Sequence, residues 1–428
     1  MKSHILYFVF RVFCFFAFLV FFVFICLLKP KGVGASRNYW EIQSIDTMKY
    51  SRDMAREWGN NLITEKIIQS YIEKIASTGA NYMAVGTPYD NEFIPFMKFW
   101  VEAARKSGLK VWFRGNFSGW EGWFGYPKIT KEDYLEKLSN FILANENLFE
   151  EGDVFTPCTE CENGALGDPR ETNNLKEYRE FLIKTYDVSI DAFDKISKKV
   201  KVGFYSMNAD VARLVMDKMT TKKLGDVVVI DHYVKDPEKL ALDVEEISEL
   251  SGGKVVLGEF GAPVPDIHGE MNEEEQSEWI GKVLNHLSKV PSLIGVNYWV
   301  SFGGTTAIWN NDGSEKPSVS ILRGYYSPDV LRGKLLNALG NPVKKALIIV
   351  DSKKTTSNEN GEFEILISPS SKMIVIDAYG YREEIREIVE VENIKEIVLE
   401  KKRENLLFKF QKFIYEIFKR IKKTNLFD

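Results

Sequence analysis

The amino-acid sequence predicts an α/β fold: a closed barrel of eight parallel strands surrounded by helices, followed by a small all-β sandwich. From Tyr39 onward, short apolar runs typical of buried strands alternate with segments of helical periodicity. Eight such strands precede Tyr326, as a (β/α)8 barrel requires. A doubly wound open sheet would also alternate, but no glycine-rich phosphate turn follows the first strand. After about Asp329, strands follow one another without helices, which indicates the sandwich.

The barrel elements can be assigned from the apolar pattern in chain order. The predicted strands are residues 40–45, 82–85, 111–114, 154–158, 202–206, 227–232, 255–259 and 294–300. The predicted helices are residues 64–77, 96–107, 131–144, 175–198, 237–250 and 273–289. We therefore expect the barrel to occupy residues 37–326.

The sandwich is predicted over residues 327–400, from runs at 331–336, 345–351, 362–367, 372–377 and 395–399. Its turns resemble those of the carboxypeptidase regulatory-like module, in Arg332-Gly333-Lys334, Gly340-Asn341-Pro342-Val343, Asn360-Gly361-Glu362-Phe363 and Ala378-Tyr379-Gly380-Tyr381. That module is an accessory domain, so the resemblance implies no catalytic residue in this part of the chain.

The two ends of the chain predict membrane attachment. Residues 1–36 contain the apolar run from Val12 to Leu28, which with its flanks is long enough to span a hydrocarbon core of about 30 Å. An uncleaved transmembrane anchor explains this length better than a secretory signal, although Val33-Gly34-Ala35 would suit signal cleavage. The pattern of residues 401–428 predicts a basic amphipathic helix that either lies in the membrane interface or docks on the protein. We expect the barrel to be extracytoplasmic.

Composition excludes one class of partner. The net charge is -5 with only four histidines, which argues against a nucleic-acid surface. Aromatic residues reach 13% of the chain, which suits a site that stacks flat apolar faces.

Two glutamates end predicted barrel strands, at the face where barrel enzymes place their catalytic groups. Glu259 closes the seventh strand in Gly258-Glu259-Phe260-Gly261, and Glu160 follows the fourth strand. A lone carboxyl at the end of an apolar strand is costly to bury unless it is paired or functional. Strands four and seven face each other across a barrel mouth. Two carboxyls about 5–5.5 Å apart are what hydrolysis of a glycosidic bond with retention needs.

These motifs resemble the clan A glycoside hydrolases, nearest to the cellulases and mannanases of glycoside hydrolase family 5. The resemblance implies that Glu160 is the acid/base and Glu259 the nucleophile, acting on a β-linked glycan without cofactor or metal. It also implies that His232 and Tyr233 line the cleft after strand six, with the Tyr233 hydroxyl bonded to the nucleophile. Trp299, after strand eight, would be the floor of the −1 sugar site.

Further substrate contacts are predicted around these residues. Arg114 and Asn116 follow strand three, and Trp120 and Trp123 lie on the aromatic loop after it. Trp112 is more typical of the core, and His232 could also be a core residue.

One position departs from the clan pattern. Thr159 stands where the clan has an Asn that contacts the sugar 2-hydroxyl, and a single hydroxyl cannot replace an amide. Glu162 is therefore kept as an alternative acid/base.

Cys158 and Cys161 flank Glu160 and allow three interpretations: two buried thiols, a disulfide that stiffens the loop, or a metal site. Overall, the sequence predicts a retaining glycoside hydrolase. The alternatives are a non-catalytic glycan-binding barrel, favoured by Thr159, and a transglycosylase with the same residues.

Overall fold

A computed structural model describes residues 38–58, 62–388 and 394–402. The predicted anchor over residues 12–28 and all but the first two residues of the predicted C-terminal helix lie outside these ranges. Within them, no helix combines the length and apolar character needed to cross a bilayer.

Eight parallel strands form the first sheet. They are β1 (Ile42–Asp46), β2 (Tyr82–Val85), β3 (Lys110–Phe113), β4 (Val154–Phe155), β5 (Ser206–Asn208), β6 (Val227–Asp231), β7 (Lys254–Phe260) and β8 (Leu293–Tyr298). Their order is β4-β3-β2-β1-β8-β7-β6-β5. The two ends of this sheet meet at a parallel bridge between Val154 and Lys201, where the Phe155 amide donates to the Lys201 carbonyl at 2.9 Å. The sheet is therefore closed, and the predicted barrel is confirmed.

Helices connect the strands and cover the barrel. In chain order they are α1 (Met48–Ser51), α2 (Leu62–Ser77), α3 (Ile94–Lys106), α4 (Ser118–Glu121), α5 (Lys131–Ala144), α6 (Pro169–Thr172), α7 (Leu175–Lys195), α8 (Ala209–Val215), α9 (Lys218–Lys223), α10 (Pro237–Ser251), α11 (Pro265–His268), α12 (Glu273–Leu287) and α13 (Pro317–Tyr326). Four 3-10 turns add Asn91–Phe93, Trp123–Gly125, Glu146–Leu148 and Cys161–Asn163. Local sequence sets several helix starts: Thr130 and Asn272 form capping boxes, and Asp236 caps the helix that begins with Pro237.

Successive strand residues alternate between the barrel lumen and the helical layer. Eight apolar side chains pack together in the lumen: Ile42, Tyr82, Ala84, Trp112, Val154, Phe204, Val229 and Val256. Arg114, Ser206 and Asp231 follow Trp112, Phe204 and Val229 by two residues, so the same alternation turns them inward, where they meet Asp46 in a polar level. This polar level closes the apolar core and forms the floor of the barrel mouth.

The remaining strands form two sheets around a separate apolar core. They are β9 (Asp329–Asn337), β10 (Leu347–Val350), β11 (Lys353–Thr356), β12 (Glu362–Ile367), β13 (Met373–Asp377), β14 (Glu384–Glu387) and β15 (Ile394–Leu399). One sheet has the order β11-β10-β13-β14 and the other β12-β9-β15. Pairing is antiparallel except between β15 and β9, which are parallel. The sequence did not predict β11 or β14, and neither strand contains a buried residue that would give it an apolar pattern. The resemblance to carboxypeptidase regulatory-like modules stays a prediction.

Candidate active site

Arg114 lies at the centre of the polar level, with its side chain fully buried. Its Nη1 donates to Asp46 Oδ2 at 2.6 Å. Its Nη2 lies 3.1 Å from Glu259 Oε1 and 3.2 Å from Asp231 Oδ1. These carboxyls raise the pKa of Arg114 against the opposing effect of burial, so the guanidinium keeps its charge. Arg114 was predicted as a substrate contact, but the structure places it below the mouth, as the shared cation of three carboxyls.

Glu259 is held by two donors, Arg114 on Oε1 and the Tyr233 hydroxyl on Oε2 at 2.9 Å. The predicted hydrogen bond between Tyr233 and Glu259 is therefore present. Burial raises the pKa of Glu259 to about 7, and the charge of Glu160 adds to the rise while Arg114 and Tyr233 oppose it. Burial has the largest effect, because the carboxyl is almost completely removed from water.

A local irregularity brings Asp231 opposite Glu259. The register between β6 and β7 shifts after Ile230, so that Asp231 pairs with Glu259 instead of Gly258. A Cβ at Gly258 would collide with the Asp231 carboxyl, so this position requires glycine. Sequence reasoning missed Asp231 as a site residue, and the only signal was the glycine one residue before Glu259.

Glu160 lies on the loop after β4, partly exposed at the barrel mouth. Its backbone is left-handed, with φ of 42°, a conformation that costs a non-glycine residue of order 1 kcal/mol. Its amide donates to the Ser206 carbonyl at 2.8 Å, and Cys158 and Cys161 are joined by a disulfide on either side of it. Of the three interpretations of the cysteines, the disulfide is the one that the structure contains.

Thr159 and Asn116 lie beneath this loop, not on its surface. The Thr159 hydroxyl is 3.1 Å from the Arg114 carbonyl oxygen and 3.2 Å from that of Gly115. Asn116 Nδ2 donates to the Thr159 carbonyl at 3.0 Å and to Glu121 Oε1 at 2.9 Å. Both side chains are buried, so their contacts within the protein account for them without a ligand.

Glu162, the alternative acid/base, is also buried, and both of its oxygens are engaged. Oε2 accepts from the Tyr178 hydroxyl at 3.0 Å and Oε1 from the Asn208 amide at 3.0 Å. Burial raises its pKa. These contacts anchor the loop to helix α7 and to the end of β5, which favours a structural role for Glu162.

Three of the predicted sugar platforms have different environments. Trp120 is 2% exposed and stacks on Phe181 at 5.2 Å, so it belongs to the core beneath the loop. Trp123 is partly exposed, with the Arg52 guanidinium 4.7 Å above its ring. Trp299 is partly exposed at the end of β8, where its amide donates to the Phe260 carbonyl. Trp123 and Trp299 therefore have ring surface to offer a ligand, whereas Trp120 does not.

His232 turns away from the carboxyl cluster. Its Nε2 lies 2.8 Å from Asp243 on helix α10, and burial lowers its pKa. The second carboxyl that sequence reasoning missed is Glu121, whose pKa burial raises to about 8, with a further rise from the charge of Glu160. No group of three or more His, Cys, Asp or Glu side chains in the described parts of the chain is arranged to hold a metal ion.

Comparison with known proteins gives a fold but no family. No protein-family model matches the sequence, and no curated protein is significantly similar to it. Among solved structures, an alanine variant of GH5_18 from Bifidobacterium longum in complex with Manb1-4GlcNAc matches with a TM-score of 0.51 and 14% identity, over 71% of this chain and 84% of that one. A GH5_18 variant from Streptomyces cattleya with the same disaccharide has a TM-score of 0.50 and 13% identity, over 69% and 84%. These similarities support the barrel fold.

Proposed function

We propose that this protein is a retaining glycoside hydrolase that acts on a β-linked glycan. The observation that carries the proposal is the setting of Glu259, a buried carboxyl at the barrel mouth held between Arg114 and Tyr233, with Glu160 near enough for its charge to raise the Glu259 pKa. A double displacement at a glycosidic bond needs two carboxyls, one as the nucleophile and one as the acid/base.

In the proposed mechanism, the Glu259 carboxylate attacks the anomeric carbon while Glu160 gives its proton to the leaving oxygen. Water then hydrolyses the glycosyl ester, with Glu160 as the base. Tyr233 and Arg114 position the nucleophile, and the rings of Trp123 and Trp299 are proposed to stack on sugars. Because Glu259 must be ionised to attack, kcat/KM should fall as the pH drops through about 7.

The first experiment is hydrolysis of aryl β-glycosides, β-glucans and β-mannans by the full chain, with product configuration followed by NMR. Manb1-4GlcNAc belongs in the panel because GH5_18 proteins of similar fold were solved with it. Products with the β configuration would support the proposal, and initial α products would contradict the double displacement.

The competing proposal is a glycan-binding barrel without turnover. It is favoured by Thr159, whose hydroxyl is directed at backbone carbonyls and offers a sugar no amide. If the protein binds a glycan but does not cleave it at any pH in a range around 7, the result would favour the glycan-binding barrel. Transfer of the glycosyl group to a sugar acceptor in place of water would identify a transglycosylase.

Glu160→Gln and Glu162→Gln should separate the two candidate acids. We expect Glu160→Gln to lower kcat by about 10²–10⁴-fold on substrates with poor leaving groups and much less on activated aryl glycosides, which need no protonation. Glu162→Gln should instead lower stability by about 1–3 kcal/mol, since its contacts with Tyr178 and Asn208 are buried. Kinetics on both substrate types and urea unfolding check this. A leaving-group dependence seen only in Glu162→Gln would reverse the assignment.

The disulfide between Cys158 and Cys161 is expected to support the same loop. Its removal in the Cys158→Ser, Cys161→Ser double variant should lower the free energy of unfolding by about 2 kcal/mol, the value for a four-residue loop. Turnover should also fall, because Glu160 would lose one restraint on its left-handed backbone. A mild thiol should reproduce both effects in the natural protein and have none on the double variant. Unchanged turnover after verified reduction would contradict the role of the disulfide.

The proposal also has the barrel outside the cytoplasm, attached to a membrane through residues 12–28, with residues 401–428 either a second membrane contact or a helix docked on the protein. The disulfide supports the extracytoplasmic location, since disulfides persist in oxidising compartments. Protease accessibility of the barrel in intact cells tests the location.

A further inference from the structure

Arg114 contacts more carboxyl groups than its charge can neutralise. Asp46, Asp231 and Glu259 all lie within 3.3 Å of its guanidinium, and all three are buried. Three ionised carboxyls with one cation would leave two uncompensated negative charges among buried side chains. Because an unpaired buried charge costs several kcal/mol, at least one of the three carboxyls should carry a proton.

Hydrogen-bond donors to Asp231 are also few. Arg114 Nη2 has two hydrogens but four acceptor atoms near it: Ser206 Oγ at 2.7 Å, Glu259 Oε1 at 3.1 Å, and the two Asp231 oxygens at 3.2 and 3.3 Å. Nη2 therefore shares its two hydrogens among three groups, and its contacts to Asp231 are the longest of the four.

The three carboxyls differ in the donors that remain. Asp46 accepts from Arg114 Nη1, from the Asn297 amide at 2.9 Å and from the Met48 backbone amide at 2.6 Å. Glu259 accepts from Arg114 and Tyr233. Asp231 has one strong partner, the Ser206 hydroxyl on Oδ2. Because hydrogen-bond donors stabilise a carboxylate, Asp231 is the carboxyl least able to stay ionised.

We propose that Asp231 is a positioning residue that keeps its proton in the resting site, so that the positive charge of Arg114 serves Glu259 and Asp46. The inference rests on the proposed function, in which Glu259 is the group that must be an anion. The titratable groups that face Asp231 are Arg114 after β3, Glu259 on β7, Tyr233 after β6, Glu160 after β4 and, across Arg114, Asp46 on β1.

The electrostatics of the cluster agree with this assignment. Burial raises the pKa of Asp231 well above its usual range, and the negative charge of Glu259 raises it further. The pKa of Glu259 rises only to about 7, because Arg114 and Tyr233 oppose the effect of burial. Among the described residues, Asp231 has no donor equivalent to the Tyr233 phenol, so less opposes the effect of burial on it than on Glu259.

Infrared difference spectroscopy of protein labelled with carboxyl-¹³C aspartate tests the protonation state without using turnover. At pH 7 the full chain should show a protonated carboxyl band that the label shifts, and Asp231→Asn should lack it. In Glu259→Gln the band should persist but titrate at lower pH, because the neighbouring negative charge is gone. A natural protein without a label-sensitive band, or a band unaltered by Asp231→Asn, would overturn the proposal. If Asp231→Asn does not fold, the shift of the band's titration to lower pH in Glu259→Gln still tests the proposal.

The pH profile provides the functional measurement. Asn mimics a protonated Asp231, so Asp231→Asn should keep the acid limb of kcat/KM at the same pH as the natural protein. If Asp231 were ionised, the substitution would remove a negative charge beside Glu259. The midpoint of the acid limb of kcat/KM would then shift to lower pH by about one pH unit or more. Such a shift would overturn the proposal. If no substrate is turned over at all, the proposed function fails, whereas the infrared result still decides the state of Asp231.

Discussion

Glu259→Gln is expected to abolish turnover, lowering kcat by about 10⁴-fold or more. Removal of a nucleophile leaves only binding and the remaining electrostatic contributions to catalysis. The amide is nearly isosteric with the carboxyl and can still bond to Arg114 and Tyr233, so the fold should be retained. A loss of turnover with unchanged unfolding would therefore reflect chemistry and not structure.

The measurement combines kinetics with trapping. A 2-deoxy-2-fluoro glycoside with an activated leaving group should add one glycosyl mass to the peptide that contains Glu259, and nothing to the Gln variant. Glu278→Gln is a matched control, because Glu278 is exposed on helix α12 and pairs only with Lys282 among its charged contacts in the described chain. A label on any other carboxyl would contradict the assignment of Glu259.

Apolar periodicity was sufficient to predict the barrel because each strand is a short buried run between turn residues. It predicted β7 and the position of Glu259 at the C-terminal end of that strand. The boundaries were less accurate where the backbone leaves regular pairing. The fifth strand was placed at residues 202–206, whereas the structure has an isolated bridge at Lys201 and a strand at Ser206–Asn208.

The candidate site was only partly predictable, because its composition depends on contacts between distant segments. Tyr233 could be placed beside Glu259 only from the resemblance to the clan A glycoside hydrolases. Asp231 could not, because the register shift that brings it opposite Glu259 is not visible in the hydrophobic pattern. Trp120 was expected on an open loop, but that loop folds back so that Trp120 packs on Phe181. Aromatic character alone does not distinguish a ligand platform from a core residue.

The roles of polar residues were the least predictable. Arg114, Asn116 and Thr159 are residue types that contact sugars, and all lie near the mouth in sequence. Their hydrogen-bonding capacity is instead largely used within the protein, by carboxyls below the mouth and by backbone carbonyls under the Glu160 loop. A buried polar side chain must find partners. Sequence shows the capacity of a residue but not the partner that uses it.

Arg114→Met should destabilise the protein by about 3–5 kcal/mol at pH 7, the cost of removing one partner from a buried ion pair. The loss should depend strongly on pH. Without the guanidinium, only neutral donors oppose the effect of burial on Asp231 and Glu259, so their pKa values in the folded state, already raised by burial, rise further above those in the unfolded chain. The folded state then binds more protons, and stability falls as the pH rises above about 4.

Arg105→Met is the matched comparison, because Arg105 pairs with one buried carboxyl, Asp153, away from the polar level of the lumen. Both variants should lose stability, but the slope of unfolding free energy against pH should be steeper for Arg114→Met, in proportion to the number of carboxyls left without a cation. Urea unfolding between pH 5 and 8 measures both slopes. Equal slopes would mean that Arg114 is coupled to a single carboxyl, and the shared-cation description of the site would be wrong.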